Sequence, residues 1–248
     1  MPAFLPGGDE PLDVSDRIPT GCSAVDDLLG GGFERGAATQ VYGPPAAGKT
    51  NIVLSAAVGV AARGESALFI DTEGLSVERM EQLAAARVDH PDTDAESVDE
   101  LASRLVISSA HTFAEQEEAV RDAEGLADAV ELIVLDSATG FYRLERTEGD
   151  EGETLRAVGR QLAHLISLAR QHDVAVAFTN QVFSDPEGDR SRALGGHTLD
   201  HWSGAILRVE RFRGGNRRAT LEKHRARPAG DSTRFRITGE GLAAADER

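Results

Sequence analysis

The sequence predicts an α/β fold, with a mostly parallel central sheet flanked by helices and antiparallel strands at its C-terminal edge. Two observations support this prediction. Short apolar runs such as 67–71 and 132–136 stop at acidic residues and alternate with helical stretches, which is typical of a parallel sheet. After residue 203, three strand-like segments follow one another with only short turns between them, which favours antiparallel pairing: 204–212, 217–224 and 233–238.

The length and composition of the chain are typical of a folded protein without a membrane anchor. With 248 residues and 40% hydrophobic content, the chain can bury a full core. It has no apolar run long enough to cross a bilayer, no signal-peptide pattern at its start, and a single cysteine, Cys22. We therefore expect a cytoplasmic protein with a flexible segment at 1–19, one domain at 20–241 and a loose tail at 242–248.

The chain is strongly acidic and almost lacks lysine. Its formal net charge is −16, and its 26 basic residues include only two lysines, Lys49 and Lys223. Scattered carboxylates hold water and counterions, and concentrated salt screens their repulsion, so this composition is typical of a salt-rich cytoplasm. Ordinary solubility combined with a GC-rich genome would give a similar balance. In either case the overall charge repels nucleic acid at low salt, so any contact with DNA must be local.

Residues 43–50, GPPAAGKT, match the phosphate-binding pattern G-x-x-x-x-G-K-[ST]. A short β-branched strand precedes the pattern and a helical stretch follows it, as a P-loop requires. The glycines let backbone N–H groups face the phosphates, the lysine reaches the β- and γ-phosphates, and the threonine hydroxyl ligates Mg²⁺. We therefore predict binding of ATP with Mg²⁺. The predicted nucleotide contacts are Gly43, Pro44, Pro45, Ala46, Ala47, Gly48, Lys49, Thr50 and Asn51.

Two other apolar strands are predicted to end in carboxylates near the P-loop. Residues 131–140, ELIVLDSATG, place Asp136 at a strand end, where it can hold Mg²⁺ together with Thr50. Hydrolysis also needs a group that orients or deprotonates water. Many such ATPases carry a glutamate after the strand-end aspartate, but Ser137 stands there in this chain. Glu73, in ALFIDTEG (67–74), is the candidate instead, and the alternative is an ordinary acid at a helix start.

The strand predicted over 174–180 ends just before Gln181. A neutral amide at that place can contact the γ-phosphate, so that loss of this phosphate changes the following loop. The alternative is that Gln181 is an ordinary loop residue without such a role. Trp202 is predicted to lie in the core. For Phe141 and Tyr142 two roles stay open, stacking on nucleic-acid bases or packing the base of their own loop.

These stretches together resemble the RecA-like recombinases, and most closely the archaeal RadB family. The resemblance covers residues from about 20 to about 241 and implies a RecA-like P-loop NTPase core. It rests on these segments: TGCSAVDDLLGGGFERG (20–36), QVYGPPAAGKTNI (40–52), FIDTEG (69–74), IVLDSATGFYRLE (133–145), TNQVFSD (179–185), ALGGHTLDHWSGAILRVER (193–211) and LEKHRARPAG (221–230).

The resemblance implies roles for particular residues and for two loops. Glu73 falls at the catalytic glutamate of the RecA-like proteins, and Gln181 at the switch glutamine that opens the second DNA-facing loop. The two DNA loops would be 137–153, which is rich in acid, and 182–197. We expect no helix–hairpin–helix domain before Thr20, and the sequence lacks the Phe-x-x-Ala polymerisation segment of family recombinases.

The resemblance also implies a function in DNA repair and homologous recombination. Proteins of the RadB family bind ATP, hydrolyse it weakly, bind DNA and assist the RadA recombinase without strand exchange of their own. An association with the Holliday-junction resolvase is also attributed to them. We expect DNA, single-stranded or branched, and RadA as partners, and no membrane.

Lys223 and Arg225 form a K-x-R pair at the end of a predicted strand. In RecA and KaiC, which this pair resembles, such residues reach the ATP of a neighbouring subunit, so Lys223 and Arg225 join Lys49, Glu73 and Gln181 as predicted catalytic residues. Two alternatives stay open: the pair belongs to a basic face that binds DNA phosphates, or it is solvated charge. The basic set comprises Arg208, Arg211, Arg213, Arg217, Arg218, Lys223, Arg225, Arg227, Arg234 and Arg236.

Two alternative functions follow from the same residues. One is a regulatory ATPase similar to KaiC, which would act on protein partners, and the K-x-R pair and the acidic first loop favour it. The TNQV segment and the recombinase-like start of the chain favour the recombination accessory. The other alternative is a scaffold that binds ATP without hydrolysing it. A homo-oligomer is compatible with each of them.

Overall fold

A computed structural model describes residues 17–142, 151–183 and 192–245 of the chain. The strands are β1 (Arg17–Ile18), β2 (Phe33–Glu34), β3 (Ala38–Tyr42), β4 (Ala67–Asp71), β5 (Leu105–Ser109), β6 (Leu132–Asp136), β7 (Ala175–Asn180), β8 (Val182–Phe183), β9 (Arg192–Ala193), β10 (Ala205–Arg211), β11 (Arg217–His224), β12 (Ser232–Thr238) and β13 (Gly241–Ala244). The α-helices are α1 (Ser23–Leu29), α2 (Lys49–Ala62), α3 (Val77–Val88), α4 (Val98–Ser103), α5 (Phe113–Asp122), α6 (Glu151–His172) and α7 (Gly196–Trp202), and short 3₁₀ turns occupy Ala123–Gly125, Ala127–Ala129 and Arg213–Gly215.

Nine of these strands form the central sheet, in the order β13-β12-β11-β10-β3-β7-β6-β4-β5. The six strands from β10 to β5 run parallel, and β11, β12 and β13 add to them antiparallel. This confirms the predicted architecture. The parallel part has helices on both faces, as buried parallel strands require. In the antiparallel part, β11 and β12 are fully buried only at Ala219, Leu221 and Phe235.

Two apolar clusters lie on the two faces of the sheet, because successive strand residues point to opposite sides. Phe69 and Val134 face the cluster that contains α1 and α2, whereas Ile70 and Leu135 face the cluster that contains α5 and α6. Helix α2 is buried on nearly every side, which explains why its sequence is apolar all round rather than amphipathic. This helix begins at the P-loop lysine, so the core holds the start of the candidate site in place.

The described structure extends beyond the predicted domain limits of 20–241 at both ends. β1 starts at Arg17 and pairs with β2, and β13 continues to Ala244 at the edge of the sheet. Trp202 was predicted to lie in the core, and that prediction is wrong: its side chain is at the end of α7 and the residue is 37% exposed. Within the described ranges, no helix combines the length and the apolar character that crossing a bilayer needs.

Candidate nucleotide-binding site

The residues predicted to act together meet at one edge of the sheet, where the parallel strands have their carboxyl ends. The P-loop follows β3, Asp136 ends β6, Gln181 follows β7, and Glu73 lies two residues after β4. A cavity of about 380 Å³ opens between the P-loop, Glu73 and Gln181. Its walls are formed by Pro45, Ala46, Gly48, Lys49, Thr50, Asn51, Glu73, Gln181, Arg217 and Ile237.

The P-loop follows a tightly curved path that its glycines and small residues allow. Gly48 has a φ of 108°, a conformation that side chains disfavour, and α2 begins directly after it. A Cβ atom at Gly43 would lie 2.0 Å from the carbonyl oxygen of Val209, so only glycine fits beside β10. Ala46 also has a positive φ, of 58°, and Ala47 is fully buried. The loop therefore surrounds the start of a helix, where backbone N–H groups and the helix dipole favour an anion.

Lys49 is a buried cation without a carboxylate in hydrogen-bond contact among the described residues. Its Nζ donates hydrogen bonds to the carbonyl oxygens of Gly43, at 3.1 Å, and Pro44, at 3.2 Å. Burial lowers the pKa of Lys49, and the charges of Glu73 and Asp136 oppose that shift. A partly desolvated ammonium group held only by neutral oxygens can bind a phosphate at little reorganisation cost. The site therefore fits a polyphosphate.

Asp136 is 2% exposed and accepts a hydrogen bond from the hydroxyl of Thr179. Burial raises its pKa to about 6, while the hydroxyls of Thr179 and Thr50 and the charge of Lys49 act in the opposite direction. Thr50 is therefore near enough to Asp136 to lower its pKa, and the metal site that the two residues are expected to share stays a prediction. A carboxylate and a hydroxyl oxygen are donors that suit Mg²⁺.

Glu73 connects the first residues of the two following loops. Its Oε1 accepts a hydrogen bond from Ser137 Oγ, at 2.9 Å, and one from Gln181 Nε2, at 2.8 Å. The turn that carries Glu73 is fixed by Asp71, whose carboxylate accepts from the backbone N–H groups of Glu73, Gly74 and Leu75. The carboxylate predicted to act on water is therefore already engaged by two donors.

The bases of the two candidate DNA loops are tied to each other. Thr139 Oγ1 donates to Asn180 Oδ1 at 2.8 Å, and Asn180 Nδ2 donates to the carbonyl oxygen of Leu194 at 2.8 Å. Phe141 and Tyr142 are 9% and 8% exposed, so they pack the base of the first loop rather than standing free to stack on bases. The acidic part of the first loop and the centre of the second, 143–150 and 184–191, lie outside the described residues.

Lys223 and Arg225 do not lie at this cavity. Lys223 pairs in register with Ile206 near the start of β10, at the amino-terminal edge of the parallel strands, and its Nζ donates to the carbonyl oxygen of Asp200 at 2.7 Å. Arg217, at the other end of the same strand, does line the cavity. With about 3.3 Å per residue, the six steps between Arg217 and Lys223 correspond to about 20 Å. The predicted contact of Lys223 and Arg225 with a nucleotide on another subunit stays a prediction.

Three residues of the site were not predicted from the sequence: Ser137, Arg79 and Arg217. Of these, only Ser137 is indicated by a sequence pattern, because it stands where a glutamate often follows the strand-end aspartate. Arg79 holds the predicted contact Asn51 in place, since its Nε donates to Asn51 Oδ1 at 2.9 Å. Arg217 reaches the P-loop only through the pairing of β10 with β11, and nothing in its local sequence predicts that.

Comparison with known proteins agrees with this geometry. The Rad51 family model matches residues 15–245. The chain is 56% identical over 232 residues to the DNA repair and recombination protein RadB of Halobacterium salinarum. This alignment covers 92% of this chain and 95% of that protein. It is 39% identical to the RadB protein of Methanococcoides burtonii, over 92% and 98% of the two chains.

A solved structure shares the fold. The crystal structure of the RadB recombinase superposes with a TM-score of 0.78 at 34% identity, and the match covers 92% of this chain and 100% of that one. The relative in Halobacterium also fits the salt-rich setting that the composition favours. The chain belongs to the Rad51 family of RecA-like recombinases and, within it, to the archaeal RadB proteins of DNA repair and recombination.

Proposed function

We propose that this protein binds Mg·ATP at the P-loop and acts as a nucleotide-controlled accessory of the RadA recombinase in homologous recombination. The observation that supports this most strongly is the convergence of Lys49, Thr50, Glu73 and Gln181 around one cavity of about 380 Å³, with the charge of the buried Asp136 acting on Lys49. Lys49 and Thr50 begin a helix, whereas the other three residues end or follow three separate strands. Each has a role that ATP binding or hydrolysis requires.

The phosphates of ATP would lie against the P-loop backbone and Lys49, and Thr50 and Asp136 would hold Mg²⁺. The ion supplies positive charge to the β- and γ-phosphate oxygens. The remaining predicted contacts, from Gly43 to Asn51, surround the nucleotide. Asn51 faces the cavity and is fixed there by Arg79.

Hydrolysis by this site should be slow. Glu73 would accept a proton from the attacking water, but its Oε1 already accepts hydrogen bonds from Ser137 and Gln181. Water must compete with these donors, and the glutamate that often stands directly after the strand-end aspartate is absent. Weak turnover suits a protein whose nucleotide serves mainly as a switch.

Gln181 would transmit the nucleotide state to the second loop. Its side chain contacts Glu73, its backbone oxygen accepts from Leu194 N–H at 2.8 Å, and the neighbouring Asn180 is tied to both loops. A change at the γ-phosphate would therefore alter the base of each loop. We propose that these loops contact single-stranded or branched DNA. The protein would act in the cytoplasm with RadA, and with the Holliday-junction resolvase or a second copy of itself as further partners.

A DNA-binding titration tests this function. In the presence of Mg·ATP, the protein should bind a single-stranded oligonucleotide. A plot of the logarithm of the binding constant against the logarithm of the salt concentration should have a negative slope, with a magnitude on the order of 0.7 for each phosphate contacted. Fluorescence anisotropy at several salt concentrations measures both quantities. Lys49→Ala serves as the nucleotide-free control and should lose the dependence on ATP.

Absence of binding at every salt concentration would contradict the proposed contact with DNA. If Mg·ATP instead drove the formation of closed rings, seen by light scattering, the regulatory ATPase similar to KaiC would be favoured. Co-purification with RadA in high salt, with and without ATP, distinguishes the two functions independently.

A further inference from the structure

Arg217 forms part of the cavity wall on the side opposite the carboxylates. In the sheet order, Glu73, Asp136 and Gln181 follow β4, β6 and β7, which lie to one side of the P-loop strand β3. Arg217 begins β11, which lies to the other side, beyond β10. The cavity therefore has Glu73 and Gln181 at one end and Arg217 at the other.

The guanidinium of Arg217 has one buried donor without a partner. Its Nη1 donates to the backbone oxygens of Gly215, at 2.6 Å, and Asn216, at 3.3 Å. Its Nε is buried and has no hydrogen-bond partner, and no ion pair joins Arg217 to a carboxylate within the part of the chain that the structure describes. A buried donor of a charged group without a partner is costly, so this arrangement favours an anion that would satisfy it.

The surroundings of Arg217 add positive potential. Arg211 faces it directly in the strand register, and Lys49 lines the same cavity. Burial lowers the pKa of Arg217, with Arg211 as a second cause in the same direction. No carboxylate offsets these shifts. The end of the cavity near β11 therefore holds Arg217 with Arg211 beside it, and among the described residues no carboxylate forms an ion pair with Arg217.

The backbone places the arginine close to the P-loop. A Cβ atom at Gly48 would lie 2.9 Å from Ile237 Cδ1 and 3.8 Å from Arg217 Nε, so β11 and β12 pack directly against the loop. The turn before β11 contains Gly214 and Gly215, with φ values of 70° and 80°. The carbonyl oxygens of Gly215 and Asn216 accept hydrogen bonds from Arg217 Nη1, which limits the freedom of the side chain.

We propose that Arg217 binds the α- and β-phosphates of the nucleotide held by its own subunit. The inference rests on the proposed function, since it requires a nucleotide at the P-loop. The γ-phosphate belongs at the other end of the cavity, where Asp136 with Thr50 would hold Mg²⁺ and Glu73 would act on water. Arg217 is therefore a binding residue and not a residue of the hydrolytic step, and it should act equally on ADP and ATP.

Affinity measurements on Arg217→Gln test this inference. Loss of a charge-assisted contact should weaken Mg·ADP and Mg·ATP alike, by about 10- to 100-fold, and leave the ratio of the two affinities unchanged. Isothermal titration calorimetry in high-salt buffer measures both. Mg·tripolyphosphate, which lacks base and ribose, should lose affinity by a similar factor. The nucleotide affinity of Arg217→Lys should lie between those of the wild type and Arg217→Gln, because lysine keeps the charge but lacks the planar guanidinium.

Arg218→Gln is the matched control. Arg218 is the next residue of β11, faces the opposite side of the sheet and stacks on Phe212 at 4.4 Å. Its loss removes the same charge from the same strand but should leave nucleotide affinity within about twofold, because the side chain lies on the face of β11 that turns away from Arg217. In the nucleotide-free state Arg217→Gln should melt no lower than Arg218→Gln, since it removes a buried donor that had no partner.

Three results would overturn the inference. Unchanged affinity for all three ligands would show that the guanidinium of Arg217 contacts solvent and not the nucleotide. A loss for ATP alone would assign it to the γ-phosphate, and a loss for ADP and ATP but not tripolyphosphate would assign it to the base or ribose. Failure of the wild-type protein to bind Mg·ATP would instead contradict the proposed function, so the two failures are distinguishable.

Discussion

Replacing Glu73 with Gln is expected to slow hydrolysis of bound ATP by about 10²- to 10⁴-fold, the usual contribution of a general base. Glutamine cannot accept the proton of water. Its Oε1 can still accept the hydrogen bonds that Ser137 and Gln181 donate to Glu73, so the loop bases should keep their arrangement. A single-turnover assay with pre-bound, radiolabelled ATP measures the rate without interference from product release.

Glu78→Gln is the control for this change, because Glu78 is an exposed carboxylate in the first turn of α3, outside the cavity. It should leave the rate unchanged, and both variants should bind Mg·ATP as the wild type does. Equal, measurable rates in wild type and Glu73→Gln would exclude Glu73 as the base. Absence of hydrolysis in both would favour the scaffold that binds ATP without hydrolysing it.

Replacing Lys223 with Ala is expected to lower ATP turnover of the assembled protein by on the order of 10³-fold. This factor is at the low end of the rate enhancement that a cation from a neighbouring subunit gives to phosphoryl transfer. The reason is its position: Lys223 lies at the edge of the sheet opposite its own P-loop, so only a nucleotide on another subunit comes within its reach. Turnover per molecule should rise with protein concentration in the wild type and stay flat in the variant. A steady-state phosphate-release assay across a concentration series, with the wild type alone and with RadA, measures this.

A merely structural role of Lys223 predicts a different pattern. Its Nζ donates to the carbonyl oxygen of Asp200 in the last turn of α7, and a cation there stabilises a helix by about 0.3–1 kcal/mol. Loss of that contact alone would lower the melting temperature slightly and leave turnover intact. Unchanged turnover with weaker DNA binding would favour the basic DNA face, and no change in either would favour solvated charge. Arg121→Ala, an exposed arginine on α5, controls for net charge.

Much of the site could be predicted because its residues lie at strand ends. The apolar runs before Asp71, Asp136 and Gln181 indicate buried parallel strands, and the carboxyl ends of such strands meet at one edge of a sheet. The P-loop pattern then fixes which edge. The sequence alone therefore predicts that Lys49, Glu73 and Gln181 lie near one another.

The rest of the site depends on tertiary packing that local sequence does not encode. Arg217 faces the P-loop because of the register between β10 and β11, and in the sequence it is one arginine among many in a basic segment. The strands β1 and β13 are too short, with two and four residues, to have a recognisable period. The prediction that Trp202 lies in the core depends on residue type alone, and the residue is instead 37% exposed at the end of α7.

Calorimetric titration of Mg·ATP into the wild-type protein and into Lys49→Ala tests the central claim most directly. We predict saturable binding of one nucleotide per chain in the wild type, and an affinity at least about 100-fold weaker in the variant, since Lys49 contributes charge-assisted hydrogen bonds to the phosphates. The variant must retain the far-ultraviolet circular dichroism of the wild type for the comparison to hold. Absence of any heat of binding in a folded wild-type protein, or equal affinity in the two proteins, would contradict the claim that this P-loop holds a nucleotide.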